Sequence, residues 1–475
     1  MVSSRKVCVV GAGISDLACA RELRREGHDV TVMEQSSSVG GQWLYDPRTD
    51  NGDPLGVAGV HSSIYSSVRL LSPREVTGIS DFPFYPKNNG GDARRYTWHS
   101  EFLRYIRDFC DAFGLTNAVK LNTRVVHVGT ALPAGGGVGK SLRWVVRSAQ
   151  AGDELVTEEV FDAVVIAAGQ YTKPRLPTIN GMGNWRRRQL HSHSYRVPDS
   201  FHQEVVVVVG CHESGKDIAL ELHEVAREVH ISVKSIEGVS PGMSKEVSRH
   251  NNLHMHPEIH CLCEDGRVVF ANGSCVIADA VIYCTGYSYW FPFLYTAGLV
   301  TIDDDNSVGP LLFEHTFPPA LAPTLSFVGV AKGVIVPRFY EMQARWVAQV
   351  LSGWRVLPSE EEMLRSIEEH NRRATETAGV PNRLANHITF DLDYCDEFGE
   401  KHCGFPRLEE WKKELIWSSF AGLRECPATF RDDYLDSDLV RDGLCSEGWL
   451  VETPGVEADD RREDEPHSHR PNKYQ

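Results

Sequence analysis

The fold is decided by the stretch Val7-Cys8-Val9-Val10-Gly11-Ala12-Gly13-Ile14-Ser15-Asp16. Its four leading apolar residues are typical of a parallel strand that is covered on both faces. A tight glycine turn follows, and the residues after it favour a helix. A strand, such a turn and a helix N-terminus together present backbone N–H groups to a pyrophosphate. We therefore predict a dinucleotide-binding unit at the start of the chain.

A second turn of this kind follows the strand predicted at Val205–Val209 and reads Gly210-Cys211-His212-Glu213-Ser214-Gly215. One glycine-rich turn is weak evidence, because such turns often join a strand to a helix. Two of them in one chain indicate two nucleotides held face to face, as in flavoproteins that a nicotinamide nucleotide reduces. The sequence thus predicts an α/β fold with two dinucleotide-binding, Rossmann-like domains.

A weak internal repeat predicts that one domain is inserted into the other. Residues 161–169 and 278–286 both consist of an acidic turn, a buried strand and a small-residue ending. We expect the chain to leave the first domain near the first copy and to re-enter it near the second. Helical spacing at 340–351 and 360–370 predicts that helices complete the first domain. The predicted parts are the FAD domain's first part at 1–176, the inserted NADPH domain at 177–292, the FAD domain's completing part with C-terminal helices at 293–453, and a disordered acidic tail at 454–475.

The composition is that of an ordinary globular protein, with 41% hydrophobic and 24% charged residues. The formal net charge of −16 argues against nucleic acid or an anionic membrane as the main partner. The apolar runs are too short to span a membrane, and we find no secretory leader before the strand at Lys6. None of the twelve cysteines forms a Cys-x-x-Cys pair. We therefore expect reduced thiols in a cytoplasmic protein and assign no metal site.

Seven further motifs occur in order along the chain: Gly40-Gly41-Gln42-Trp43, His61-Ser62-Ser63-Ile64-Tyr65, Pro73-Arg74-Glu75, Asp81-Phe82-Pro83-Phe84, His191-Ser192-His193-Ser194-Tyr195-Arg196, Tyr283-Cys284-Thr285-Gly286-Tyr287 and Phe291-Pro292-Phe293-Leu294. Any one of them could arise by chance, but their joint order and spacing are highly specific. With these motifs and the two turns, the chain from Lys6 to about Asp442 resembles the flavin-containing monooxygenases. The nearest match is the plant group called glucosinolate S-oxygenase-like.

The resemblance implies an FAD- and NADPH-dependent monooxygenase. NADPH would reduce FAD, and the reduced flavin would take up O2 as a hydroperoxide. A soft nucleophile of a small-molecule substrate, either a thioether sulfur or an amine nitrogen, would then receive one oxygen atom. Because the cofactors carry the chemistry, the protein orients them and excludes water from the site. No catalytic residue is assigned. The sequence does not indicate the oligomeric state.

The resemblance also implies which residues hold FAD. The first turn and the segment that borders the flavin supply Gly11, Ala12, Gly13, Ile14, Ser15, Asp16, Gly41, Gln42 and Trp43. Glu34 ends the strand predicted at 30–33, where an acceptor for a ribose hydroxyl belongs. Glu341 and Gln343 fall where the family returns to touch the flavin.

The second turn is expected to hold NADPH. The residues concerned are Gly210, Cys211, His212, Glu213, Ser214 and Gly215. Lys234 follows a strand predicted at His230–Val233, and two roles are open for it. It either pairs with the 2′-phosphate of NADPH or is an ordinary exposed lysine.

Both nucleotide turns depart from the family pattern. The family's first turn ends in a third glycine, where this chain has Asp16. An ionised carboxylate about 5 Å from a phosphate charge costs roughly 3 kcal/mol at an effective dielectric constant near 20. The positive end of the helix offsets only about 0.3–1 kcal/mol of that cost. We therefore expect weakened FAD retention.

At the second turn, Glu213 is expected to repel the NADPH phosphates, whereas a neutral His212 is harmless.

The motif that names the family also changes, since its glycine has become Arg187. The motif aligns at Trp185, Arg187, His191 and Tyr195. The resulting basic triplet at 186–188 either contacts a phosphate or lies in a solvated loop.

The most serious departure is Leu71, which replaces an asparagine beside the flavin. Loss of one preorganised polar contact typically lowers a rate by roughly 10²–10³-fold.

These departures keep three alternatives open: an active oxygenase, a weak NADPH oxidase that leaks peroxide, and a non-catalytic relative. Other flavoprotein classes fit less well. A Baeyer–Villiger enzyme would have Trp-Pro where this chain has Tyr195-Arg196, and a disulfide reductase needs a Cys-x-x-Cys pair. Plant auxin-forming monooxygenases are usually shorter, whereas residues 404–415 follow the S-oxygenase-like group.

Overall fold

The structure is a computed structural model that describes residues 4–48, 53–56, 62–87, 90–131, 142–152, 155–171, 173–302, 308–309, 312–378 and 391–450. The predicted tail at 454–475 lies outside these residues. Within them the strands are β1 Lys6–Val10, β2 Asp29–Met33, β3 Val119–Lys120, β4 Thr123–Thr130, β5 Trp144–Gln150, β6 Val156–Phe161, β7 Ala163–Ile166, β8 Lys173–Pro174, β9 Arg188–His191, β10 Val205–Val209, β11 Glu228–Ser232, β12 Leu253–His256, β13 Ile259–Leu262, β14 Arg267–Phe270, β15 Cys275–Ile277, β16 Ala280–Tyr283, β17 Tyr287–Ser288, β18 Leu294–Tyr295, β19 Thr301–Ile302, β20 Val308–Gly309 and β21 Leu325–Phe327. The α-helices are α1 Ile14–Arg25, α2 His99–Ala112, α3 Glu213–Leu222, α4 Pro241–Arg249, α5 Arg338–Ser352, α6 Glu360–Ala378, α7 Leu392–Cys403, α8 Glu410–Glu425 and α9 Asp438–Ser446.

The first sheet is parallel and has the strand order β21-β7-β1-β2-β3. Its central strand β1 is covered on both faces, as the apolar run predicts. Val7 and Val9 belong to one apolar cluster, and Cys8 and Val10 belong to another. Because side chains alternate along a strand, these clusters lie on opposite faces of the sheet.

The second sheet repeats this plan, with the parallel order β12-β11-β10-β16-β9. Its central strand β10 lies between β11 and β16, just as β1 lies between β2 and β7. The repeat at 161–169 and 278–286 therefore corresponds to one equivalent strand in each sheet, β7 and β16. Each copy ends in a glycine with positive φ, at Gly169 and Gly286.

The second domain is inserted into the first. All five strands of the second sheet lie between residues 188 and 283, whereas the first sheet takes strands from both sides of that interval. The two connecting segments run side by side, because β8 and β17 pair antiparallel. The predicted α/β fold with two Rossmann-like domains is confirmed.

Helices complete the first domain, as the spacing at 340–351 and 360–370 predicts. Helix α5 packs on α1, and helices α7 to α9 enclose a separate apolar cluster around Trp411, Leu415 and Leu444. Helix α8 also reaches the inserted domain, where a Cβ added at Gly242 of α4 would lie 2.5 Å from the Glu425 carbonyl oxygen. No helix in the described ranges combines the length and apolar composition that a membrane span needs.

Candidate functional site

The first turn joins β1 to α1 at the carboxyl edge of the first sheet. Gly11 has φ +113°, which side chains rarely permit, and its N–H donates to the Met33 carbonyl oxygen at 2.9 Å. A Cβ added at Gly41 would lie 3.0 Å from the Gly13 Cα atom. The short 3₁₀ helix Gly41–Trp43 therefore lies directly against the turn. The structure thus brings together the two segments from which FAD-binding residues are predicted.

Glu34 is buried and bound to the first turn. One carboxylate oxygen accepts the Ala12 N–H at 2.8 Å, and the other accepts the Ser36 N–H at 2.7 Å. These bonds place the carboxylate at the end of β2, beside the turn. A ribose hydroxyl would donate to an acceptor that the protein already orients.

The Asp16 side chain folds back onto the turn that it follows. Its Oδ2 accepts the Gly13 N–H at 2.8 Å, in the manner of a side chain that caps its own helix. Its Oδ1 is buried and receives no hydrogen bond from the described residues. Burial, together with the negative charge of Glu34, raises the pKa of Asp16 well above its ordinary value.

This geometry changes the expected effect of Asp16. The prediction assumed an ionised carboxylate that repels the phosphates. The structure shows instead a carboxyl group that engages one of the N–H donors of the anion-binding turn, in an environment that favours its neutral form. Competition for the Gly13 N–H therefore replaces full charge repulsion as the main obstacle to the pyrophosphate.

At the second turn the helix packs closely against the turn through Gly215, whereas the first turn has Asp16 at the corresponding position. A Cβ added at Gly215 would lie only 2.1 Å from the Gly210 carbonyl oxygen, so only glycine fits there. Helix α3 begins at Glu213 after the N-cap residue His212, and both of these side chains are exposed. Lys234 is also exposed, two residues beyond the end of β11.

Tyr171 lies near Glu213 of the second turn and near Tyr340. Desolvation and the nearby Glu213 carboxylate raise the pKa of Tyr171 to about 12. On the other side, burial and then Tyr171 raise the pKa of Tyr340. A Cβ added at Gly329 would contact both Tyr340, at 3.6 Å, and Ser15 of the first turn, at 3.5 Å. Tyr171 is thus near enough to Glu213 of the second turn, and to Tyr340 beside the first turn, to act electrostatically on both.

The arginine triplet pairs with acids instead of a phosphate. Arg187 bonds to the Asp279 Oδ1 atom at 3.0 Å. Its neighbours form the ion pairs Arg186–Glu264 and Arg188–Glu204. Asp279 immediately precedes β16, so Arg187 lies at the amino edge of the second sheet, whereas the nucleotide turn lies at the carboxyl edge. The phosphate-contact alternative is therefore not supported.

The residues that match the family motif lie at the boundary between the two domains. His191 ends β9 and is fully buried; burial and the neighbouring His193 lower its pKa to about 3. Its Nδ1 accepts the His193 N–H at 3.0 Å and so shapes the segment that follows. In that segment Arg196 donates to the Asp46 and Ser62 carbonyl oxygens at 2.7 and 2.8 Å. The motif thereby ties the inserted domain to the first domain.

Two of the residues predicted to touch the flavin have partners within the protein. Glu341 pairs with Arg21 at 2.8 Å and accepts the Ser80 N–H at 2.9 Å. Gln343 is fully buried and accepts the Gly329 N–H at 3.2 Å. Through these contacts, Glu341 and Gln343 fix the position of α5.

Leu71 lies at the surface, 36% exposed. The preceding residue, Leu70, is bonded through its carbonyl oxygen to Arg431 Nε at 3.2 Å. Arg431 also pairs with Asp217 of α3 at 2.7 Å. The C-terminal segment therefore joins the Leu71 segment to the inserted domain. The sequence did not indicate the contacts of Arg431 or the position of Tyr171, because neither residue belongs to a local pattern.

Comparison with known proteins agrees with this architecture. The sequence profile described as "Flavin-binding monooxygenase-like" matches residues 4–246 and 244–409. The chain is 52% identical to Flavin-containing monooxygenase FMO GS-OX-like 8 of Arabidopsis thaliana over 444 residues, which is 93% of this chain and 95% of the relative. It is 41% identical to FMO GS-OX4 of the same plant over 448 residues, covering 93% and 94% of the two chains.

A solved relative extends the likeness to the fold. The structure of S-allyl-L-cysteine S-oxygenase from Allium sativum superposes with a TM-score of 0.85 at 40% identity, over 94% of this chain and 99% of that one. The expectation of the plant S-oxygenase-like group is confirmed, as are the cofactors FAD and NADPH. The chain belongs to the flavin-binding monooxygenase-like family and is a flavin monooxygenase that depends on FAD, NADPH and O2.

Proposed function

We propose that this monooxygenase transfers one oxygen atom to the thioether sulfur of a small molecule. The observation that carries the proposal is the pair of equivalent nucleotide turns, which begin at Gly11 and Gly210 and each follow the central strand of a parallel sheet. A thioether is favoured over an amine because the solved relative, 40% identical, is an S-allyl-L-cysteine S-oxygenase. FAD would supply the oxygen-activating chemistry once it is reduced.

We assign FAD binding to the first turn and its neighbours. The turn fits a dinucleotide, because the first N–H groups of α1 have no partner within the helix and Gly41 approaches Gly13 closely. Glu34 is placed to accept from the ribose. Asp16 opposes binding, since its carboxyl group accepts the Gly13 N–H. The full assignment is Gly11, Ala12, Gly13, Ile14, Ser15, Asp16, Glu34, Gly41, Gln42 and Trp43.

We assign NADPH binding to the second turn, whose packing fits a dinucleotide although the exposed Glu213 carboxylate is expected to repel its phosphates. Gly215 allows α3 to start close against Gly210, which exposes the helix N-terminus to the pyrophosphate. Lys234 is exposed and so available to the 2′-phosphate. The full assignment is Gly210, Cys211, His212, Glu213, Ser214, Gly215 and Lys234.

The domain boundaries and the compartment are also proposals. We place the boundaries at 176/177 and 292/293, and the pairing of β8 with β17 supports two connections near these points. We place the protein in the cytoplasm. All twelve cysteines are free, as is usual for a protein in a reducing compartment.

The test is a coupled turnover experiment on the full chain with added FAD. S-allyl-cysteine and a tertiary amine of similar size serve as competing substrates. NADPH oxidation, sulfoxide, N-oxide and hydrogen peroxide are measured together. The proposal predicts sulfoxide formation that accounts for most of the NADPH consumed.

Each other outcome overturns the proposal in a defined way. N-oxide without sulfoxide would reverse the substrate class. Peroxide equal to the NADPH consumed would indicate a weak NADPH oxidase. A chain that stays colourless in excess flavin, and leaves NADPH intact, would be a non-catalytic relative.

A further inference from the structure

The inserted domain contains a cluster of metal-ligating side chains outside the nucleotide sites. Glu228 and His230 are two residues apart on β11 and therefore share one face of the sheet. His254 of β12 lies directly opposite His230 in the parallel register. One ligand atom from each of the three residues lies within 4.8 Å of the others. The strand pairing thus assembles two imidazoles and a carboxylate at the sheet edge.

A fourth side chain holds the central imidazole in place. His230 Nε2 contacts the Glu228 carboxylate at 3.0 Å, while its Nδ1 contacts His256 Nε2 at 2.9 Å. His256 stacks on the Phe270 ring with centroids 4.0 Å apart, which fixes its orientation. Metal-binding histidines typically bond through their second nitrogen to such an outer partner. His230 therefore faces the Glu228 donor through Nε2 and has an outer partner on Nδ1, while the His254 ring stacks on it with centroids 4.7 Å apart. With a metal ion on Nε2 of His230, the Nδ1–H would donate to His256.

The cluster is also accessible. His230 is buried, whereas Glu228 and His254 are half-buried, so an ion could enter from solvent. Two imidazoles and a carboxylate are a donor set used by Zn²⁺, with water in the fourth position. Tetrahedral coordination needs donor atoms about 3.3 Å apart. The donor atoms lie within 4.8 Å of one another and would draw together to that spacing on metal binding.

We propose that Glu228, His230 and His254 form a binding site for a divalent transition-metal ion of the zinc class, with His256 as the outer partner of His230. The site would clamp the edge strand β12 to β11, the strand whose carboxyl end leads to Lys234. Sequence reasoning assigned no metal site, because the ligands come from two strands that only the fold places side by side.

The test uses the untagged full chain loaded with FAD, titrated with Zn²⁺ or with Co²⁺ as a spectroscopic probe. We expect one metal ion per chain, visible d–d bands from Co²⁺ of low coordination number, and a higher melting temperature with Zn²⁺. His254→Ala removes a ligand and should abolish the bands and the thermal shift. His256→Ala should weaken metal binding by about 10–100-fold.

The exposed histidine of β13, His260, provides the matched control. His260→Ala should bind the metal as tightly as the parent chain does. Because His254 is half-buried, its variant is expected to fold, and its circular dichroism without metal should match that of the control. Equal metal binding by the His254→Ala and His260→Ala variants would overturn the proposal, as would an absence of stoichiometric binding to the parent chain.

Discussion

At the residue scale, we expect Asp16 to limit how tightly the first turn binds FAD. Its carboxyl group accepts the Gly13 N–H that a pyrophosphate would otherwise use. Without Asp16, this N–H would donate to the charged pyrophosphate, and a hydrogen bond to a charged group contributes about 1.5–3 kcal/mol. We therefore expect Asp16→Gly to bind FAD about 10- to 100-fold more tightly than the parent chain. Fluorescence quenching in an FAD titration measures the change, and equal affinities would contradict it.

The same residue makes FAD binding depend on pH. The raised pKa of Asp16 would rise further beside a phosphate, so binding takes up a proton. FAD affinity of the parent chain should therefore be highest below the pKa of free Asp16 and should fall as the pH rises through it. Asp16→Asn keeps the bulk but cannot ionise. It should bind FAD independently of this titration, yet still more weakly than Asp16→Gly.

Leu71 is expected to limit the rate of oxygenation. Leucine offers no hydrogen bond where the family places an amide beside the flavin. Leu71→Asn should raise the rate of product formation, by up to roughly 10²–10³-fold if this contact is limiting. Product and peroxide are quantified in parallel. Leu71→Ala is the control, and an equal gain in both variants would show that side-chain size, not hydrogen bonding, is responsible.

At the scale of elements, the strand–turn–helix unit of the second domain requires glycine at position 215. A Cβ there would lie 2.1 Å from the Gly210 carbonyl oxygen, so α3 must shift away from the turn. Overpacking of this kind costs about 1–3 kcal/mol. Gly215→Ala should therefore lower both the melting temperature and the affinity for NADPH.

A glycine with open surroundings provides the comparison. A Cβ at Gly183 would meet no atom within 4 Å. Gly183→Ala should leave the melting temperature and NADPH affinity close to those of the parent chain. If the two substitutions behaved alike, the close approach of α3 to the turn would not be what the nucleotide site depends on.

At the scale of the whole molecule, Arg431 links the C-terminal segment to both domains. Its guanidinium pairs with Asp217 of α3 and donates to the Leu70 carbonyl oxygen. Because the ion pair is largely shielded from solvent, Arg431→Ala should cost about 1.5–3 kcal/mol. We expect faster amide hydrogen exchange in α3 and a higher KM for NADPH. Arg441, in an exposed pair with Asp438, is the control, and its alanine variant should change neither quantity.

The architecture follows from local signals in the chain. The alternation of Val7 to Val10 between two apolar clusters, and the glycine that ends the strand, can be recognised without any distant residue. The same holds for the second unit at 205–215. Both sheets and the insertion of the second domain were predictable for this reason. Glu34 was predictable as well, since its place at the end of β2 depends on strand length alone.

The sequence by itself therefore determined the two nucleotide-binding units and their order, because strand periodicity and turn geometry act over a few residues. Only the tertiary structure decided that the Asp16 carboxyl group bonds back to Gly13, that Arg187 pairs with Asp279, and that Tyr171 lies near Glu213 of the second turn. The histidine cluster of β11 and β12 belongs with these features. Side-chain partners of this kind depend on which remote segments the packed core brings within a few ångströms, and no local pattern encodes that choice.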